Sequence, residues 1–169
     1  MGSDLKIRHD AEAERIAESY RLRFRHGPLG RWETHDERFV GCVGFDAVVG
    51  LGCVVTFNRD GFGLLTTGGS ERFCARFQWE PVTTCGLRLR VTECDRAGRH
   101  YLDNSDFQWQ SLEYDFFLTT GNDLVYLIES QAEGVQYSDP GFWYSVNPLV
   151  WVAEPEDLTP PLAGYLAEQ

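Results

Sequence analysis

Between Cys53 and Glu93 the chain alternates apolar and polar side chains through three successive segments, and this alternation limits the possible folds more than any other feature. Cys53-Val54-Val55-Thr56-Phe57 enters Asn58-Arg59-Asp60-Gly61 and continues as Phe62-Gly63-Leu64-Leu65. Phe73-Cys74-Ala75-Arg76-Phe77-Gln78-Trp79 and Leu87-Arg88-Leu89-Arg90-Val91 follow. Side chains on a strand point to opposite faces in turn. Phe73, Ala75, Phe77 and Trp79 therefore share one face, as do Leu87, Leu89 and Val91. Strands with one apolar face, joined by turns, predict an antiparallel meander buried on one side.

The flanking sequence extends this pattern. Asp10 can cap a helix over about residues 10–24, with Ala13, Ile16, Ala17, Tyr20 and Phe24 on its apolar face. Such a helix is marginal alone and is expected to pack on the sheet. His26-Gly27-Pro28 ends it, and Gly30 begins strand-like sequence. Asp95 to Asp106 reads as a polar connection. Phe107 to Leu118 is a strand with Leu112, Tyr114, Phe116 and Leu118 on one face. Thr119-Thr120-Gly121-Asn122-Asp123 is a hairpin turn. Leu124 to Glu129 is apolar on both faces, which predicts cover on both sides. Phe142 to Val146 and Leu149 to Val152 read as strands broken by Asn147-Pro148. Thr159-Pro160-Pro161 opens a short helix over about 160–168. About eight strands in one domain of 169 residues predict a mainly β fold. Its form is a single antiparallel meander barrel with a helix at each end, which would also hide strand edges.

Composition narrows the function classes. The net charge of −11 disfavours nucleic acid and anionic membrane as partners. Met1 to Asp10 is polar and unlike a signal peptide. Val40 to Val55 is too short to span a bilayer and contains Asp46. A cytoplasmic protein is expected. The five cysteines, Cys42, Cys53, Cys74, Cys85 and Cys94, are odd in number and form no Cys-x-x-Cys pair, so reduced thiols are expected.

At Gly30-Arg31-Trp32 the chain is similar to the Gly-x-Trp that opens the first strand of lipocalins and related calycins. Its aromatic strand, Asp-Gly turn and Phe-x-Trp strand resemble bacterial lipocalin-like domains. The resemblance spans about residues 30–152, and implies a barrel whose interior takes a small apolar ligand. Lipocalins usually place an Arg near the last strand, packed over that Trp. Here no Lys or Arg follows Arg99. Lipocalins are also usually secreted, unlike the expectation here.

Reactive constellations are sparse. His9, His26, His35 and His100 lack metal-ligand spacing, and no nucleotide or nucleophile-elbow motif occurs. No metal, cofactor or catalytic set is predicted. Asp46, within an apolar run, is either an acid–base group of raised pKa or a turn residue bonding its own backbone. Arg76, Arg88 and Arg90 share a face. If Phe77 pairs with Leu89, Arg76 faces Arg90, which calls for an anionic ligand or for Glu113 and Asp115 on the next strand.

Three functions follow. The first is non-enzymatic binding of a small apolar molecule, lined by Trp32, Phe57, Phe77, Trp79, Tyr114, Phe116 and Tyr126. The second is an acidic inhibitor of a basic protein, such as an immunity protein for a toxin. Its interface would use Glu129, Glu133, Asp139, Trp143 and Tyr144, because residues 100–169 contain no Lys or Arg. The third is a cofactor-free barrel isomerase or cyclase using Asp46 or Tyr114.

Overall fold

A computed structural model describes residues 7–34, 53–67, 73–96, 99–102, 108–121, 123–130 and 149–155. The expected strand at Phe142 to Val146, the expected C-terminal helix, Cys42 and Asp46 lie outside the described residues.

Helix α1 (Ala11–Arg23) is capped by Asp10, whose carboxylate accepts the Ala13 N–H at 3.0 Å. The Arg8 guanidinium and that amide hold the Asp10 carboxyl well below the usual carboxylate range. Ala13, Ala17 and Phe24 are buried, and Ile16 and Tyr20 half-buried, as the helical spacing requires.

Nine strands follow: β1 (Gly30–Thr34), β2 (Cys53–Phe57), β3 (Phe62–Thr67), β4 (Phe73–Thr83) and β5 (Gly86–Arg96), then β6 (Arg99–Leu102), β7 (Gln110–Leu118), β8 (Val125–Ser130) and β9 (Leu149–Ala153). Neighbours pair antiparallel, β4 also pairs β5, and β1 pairs β9. Eight strands thus close into a barrel, with β6 added beside β5. Closure removes the unpaired edges of an open sheet.

Three expectations need correction. β4 and β5 are longer than their alternating cores, and turn at Thr84-Cys85, where Cys85 takes φ of 54°. Pro81 sits where the register shifts, so its missing N–H interrupts no regular ladder. Residues 95–102 are not simply a polar connection, because β5 runs to Arg96 and hairpins into β6. The pairing of Phe77 with Leu89 is also displaced: Phe77 pairs with Val91, and Arg76 with Glu93. That slip places Arg88 opposite Glu80 and Arg90 opposite Gln78, so like charges do not face each other.

Candidate functional site

The register assembles the barrel interior in rows. One row joins Gly30, Phe57, Gly63, Phe77 and Val91. The next, one ladder step farther from the Asn58–Gly61 turn, joins Trp32, Val55, Leu65, Ala75 and Cys94. Across the barrel, Phe116 pairs with Leu127, and Leu127 with Leu149. These side chains, apart from Gly30, Gly63 and Val91, belong to one buried core, with Val91 packed against it.

At the α1 end the interior is packed with rings. Phe57 meets Phe77 at 5.4 Å and Trp79 at 5.5 Å between centroids, both edge-on. Trp32 meets Phe24 at 5.2 Å and Phe116 at 6.0 Å, and Tyr114 meets Phe116 at 5.8 Å. Tilted and edge-to-face contacts are the favoured aromatic geometries. Glycine makes two of them possible. A side chain at Gly63 would collide with the Phe77 ring, and one at Gly27, where φ is +123°, with the Trp79 ring.

The polar atoms of these rings are all used internally. Trp32 Nε1 donates to the Pro28 carbonyl at 2.7 Å, and Trp79 Nε1 to that of Phe62 at 3.1 Å. The Tyr114 hydroxyl donates to the Phe24 carbonyl at 2.6 Å. Burial pushes Tyr114 ionisation above the ordinary phenol range. Its proton is thus doubly retained, and Tyr114 is a poor general acid or base. The other catalytic candidate, Asp46, lies outside the described residues.

Six of the seven expected lining residues come together: Trp32, Phe57, Phe77, Trp79, Tyr114 and Phe116 share the core. Tyr126 does not join them. Val125 and Leu127 point into the core, so their neighbour Tyr126 takes the opposite face of β8, where it is nevertheless fully buried. Glu133, Asp139, Trp143 and Tyr144 lie outside the described residues. For Glu129 the register gives Tyr114 as its backbone partner.

The expected partners of the arginines are also different. Asp115 binds Arg21 of α1 at 2.7 Å, and Glu113 pairs in register with Gly86. Arg88 forms its ion pair with Glu80, and Arg90 donates to Gln78 Oε1 at 3.0 Å. Both guanidiniums stand over Trp109, at 4.7 Å and 5.6 Å from its ring. Trp109 was not among the expected site residues, although strand parity in Gln108-Trp109-Gln110 already sets it opposite Leu112 and Tyr114, on the polar side. It is 42% exposed.

The acidity of residues 100–169, which carry no Lys or Arg, is partly answered within the fold. Asp123 binds Arg8 at 2.9 Å, Asp115 binds Arg21, and Glu154 binds Arg23 at 3.2 Å. Arg23 also stands 4.7 Å over the ring of Trp151 on β9, and Phe24 covers Trp32. The same guanidinium stands 4.9 Å over the Phe24 ring, so a phenyl ring lies between the helix arginine and Trp32. Cys74, Cys85 and Cys94 are free thiols. Cys94 faces the core beside Ala75, whereas Cys74, one residue from Ala75, takes the other face. Among the described residues no group of His, Cys, Asp and Glu could hold a metal ion, and no helix is long and apolar enough to cross a membrane.

No family model, curated protein or solved structure matches this chain.

Proposed function

We propose that this protein is a non-enzymatic binding barrel of lipocalin-like type, whose interior takes a small apolar molecule. The observation that carries this reading is the change in lining along the Trp32 row. Rings fill the α1 end, Trp32 among them, whereas the other members of the Trp32 row, Val55, Leu65, Ala75 and Cys94, present smaller side chains across four adjacent strands. A pocket floored by rings and walled by small aliphatic groups suits an apolar guest. The commitment of the Trp32, Trp79 and Tyr114 donors to the main chain leaves that floor with no polar demand to place on a ligand.

The alternatives draw less support. Acidic residues of the second half that bind Arg8, Arg21 and Arg23 are less available to a basic partner. The isomerase reading loses Tyr114. Uptake of the uncharged fluorophore N-phenyl-1-naphthylamine, with native mass spectrometry of protein purified from its own host, tests the proposal. Saturable one-to-one uptake and a retained small molecule are expected. No uptake, together with a retained protein partner, would overturn it in favour of the inhibitor reading.

A further inference from the structure

On the outer wall β4, β5 and β7 lie side by side, and pairing runs from Glu80 through Arg88 to Ser111. Leu87, Leu89 and Leu112 face the core, so Arg88 and Ser111 face outward. Glu80 and Gln78 share that side through their pairing with Arg88 and Arg90. Trp109, which precedes the Leu89 partner Gln110, joins them. The Arg88 guanidinium stands 4.7 Å over its ring, and that of Arg90 5.6 Å. Among the described side chains Trp109 is the one exposed aromatic.

Cation–π contact sets both guanidiniums over the indole before any partner arrives, which lowers the ordering cost of binding. Trp and Arg are also among the side chains that carry most of the energy at protein interfaces. The patch already seats a carboxylate: Glu80 binds Arg88, with side chains 45% and 47% exposed. A pair so open to water is weak, and a carboxylate from outside can replace it. Arg90 is oriented by a neutral group, the Gln78 side-chain carbonyl. Glu113, opposite Gly86, closes the patch on the side of the β4–β5 turn.

We propose that this patch docks an acidic segment of a partner protein. The guanidinium forks match its carboxylates, and the indole takes the aliphatic carbons beside them. Charge selects this occupant. A nucleic acid would meet the net charge of −11 along its whole length. A second copy placed face to face would bring like guanidiniums together. A short acidic segment needs only local contact, within the range that salt leaves unscreened. The site lies outside the barrel and is independent of what the lumen holds.

The probe is a blocked octapeptide alternating Glu and Leu, titrated into the full-length protein while the five indole N–H resonances are followed. The Trp109 resonance is identified by its loss in Trp109→Phe. It is expected to move saturably, while those of the buried Trp32 and Trp79 stay fixed. The same peptide with Gln for Glu binds about tenfold more weakly, the scale of one charge-assisted hydrogen bond. Arg88→Gln with Arg90→Gln imposes a similar loss. Glu80→Gln acts the other way: without the internal competitor, affinity rises roughly two- to fivefold, the scale of an exposed ion pair. Equal binding of the Gln peptide, preference for a Lys peptide, or movement confined to Trp32 and Trp79 overturns the proposal. So does a Trp109 resonance that stays fixed at millimolar peptide. Weaker binding in Glu80→Gln refutes the exchange of carboxylates on which the site depends.

Discussion

The two halves of the barrel interior are built on opposite principles. Near α1, the rings that carry a polar atom are fixed twice, by ring contacts and by a hydrogen bond: Trp32 by Phe24, Phe116 and Pro28, and Tyr114 by Phe116 and Phe24. In the row of Trp32, Val55, Leu65 and Ala75 have no polar side-chain atom with which to be anchored in this way. Side chains held by directional bonds specify one arrangement. Small aliphatic groups specify little beyond exclusion of water, and this lets a lining admit a guest. The difference predicts that stability resides in the ring-packed part, and the proposed function needs adaptability in the other.

The largest expected effect tests the first half of that assignment. Trp32→Ala removes a fully buried indole and orphans the Pro28 carbonyl. Loss of about 3–5 kcal/mol is expected in chemical denaturation. Trp79→Ala is expected to behave alike. Leu65→Ala should fall near the lower end of the Leu→Ala range, about 2.7 kcal/mol, if the lining holds the space proposed for a guest and relaxes into it. Equal losses at Trp79 and Leu65 would erase the contrast.

Alkaline titration gives the next largest effect. Burial, aided by the Asp95 and Glu93 carboxylates, pushes the Cys74 thiol up to about 12. The same group in an unfolded chain titrates near pH ~8.5. The unfolded state therefore loses its proton first. The stability from this raised pKa is complete below pH ~8.5 and is lost as pH rises toward 12, at about 1.4 kcal/mol per pH unit. Tyr114 adds a second decline above pH ~10, in the same direction. Denaturation midpoints between pH 8 and 11 should fall, less steeply in Cys74→Ala. The Tyr114→Phe variant should lose only the later part. A flat profile would show that neither group is protected from ionisation by the fold.

The same contrast explains what was legible in the sequence. Alternation alone located the inward rows, because a period of two marks faces regardless of partner. It put Phe77 and Trp79 on one face and Tyr114 and Phe116 on another that meet in the core, while the Asp10 cap and helical spacing placed α1 with its apolar face. It did not locate the β4–β5 turn, where Cys85 adopts a positive φ without the glycine or asparagine that usually signals one. Nor did it reveal the extra residue at Thr92, which carries no local signature and yet determines which charge faces Arg76. Tyr126 was misplaced for a related reason: in β8, Val125, Tyr126 and Leu127 are all apolar, so periodicity could not separate the faces. The partners of Arg21 and Arg23 are tertiary, and no spacing in the chain encodes them.

Tyr114→Phe probes the helix attachment with a smaller change. It deletes one hydroxyl and leaves the buried Phe24 carbonyl without that donor. A loss of about 0.5–1.5 kcal/mol is expected, the net worth of one hydrogen bond, because the carbonyl still accepts the Gly27 N–H at 3.2 Å. Because that acceptor lies at the end of α1, amide exchange should accelerate in α1 before it does in β2 to β4. Uniform acceleration would mean that the helix and barrel open as one unit.

The smallest expected effect is the most discriminating. Ala75→Leu adds three carbon atoms to the row of Val55, Leu65 and Cys94. In a close-packed core such an insertion forces neighbours off their rotamers and costs about 1–3 kcal/mol. In a lining with room, the new side chain occupies space a guest would use. Its burial then offsets whatever local adjustment it requires, and the net change should be within about 0.5 kcal/mol, comparable to a benign surface substitution. Probe uptake should fall steeply in the same variant. Gly63→Ala supplies the opposite control, since there the added carbon meets the Phe77 ring and must destabilise. A neutral Ala75→Leu that no longer binds N-phenyl-1-naphthylamine, set against a destabilised Gly63→Ala, would establish that the two rows differ in free space. A destabilised Ala75→Leu would make the interior uniformly packed and move the search for a ligand to the outer wall around Trp109.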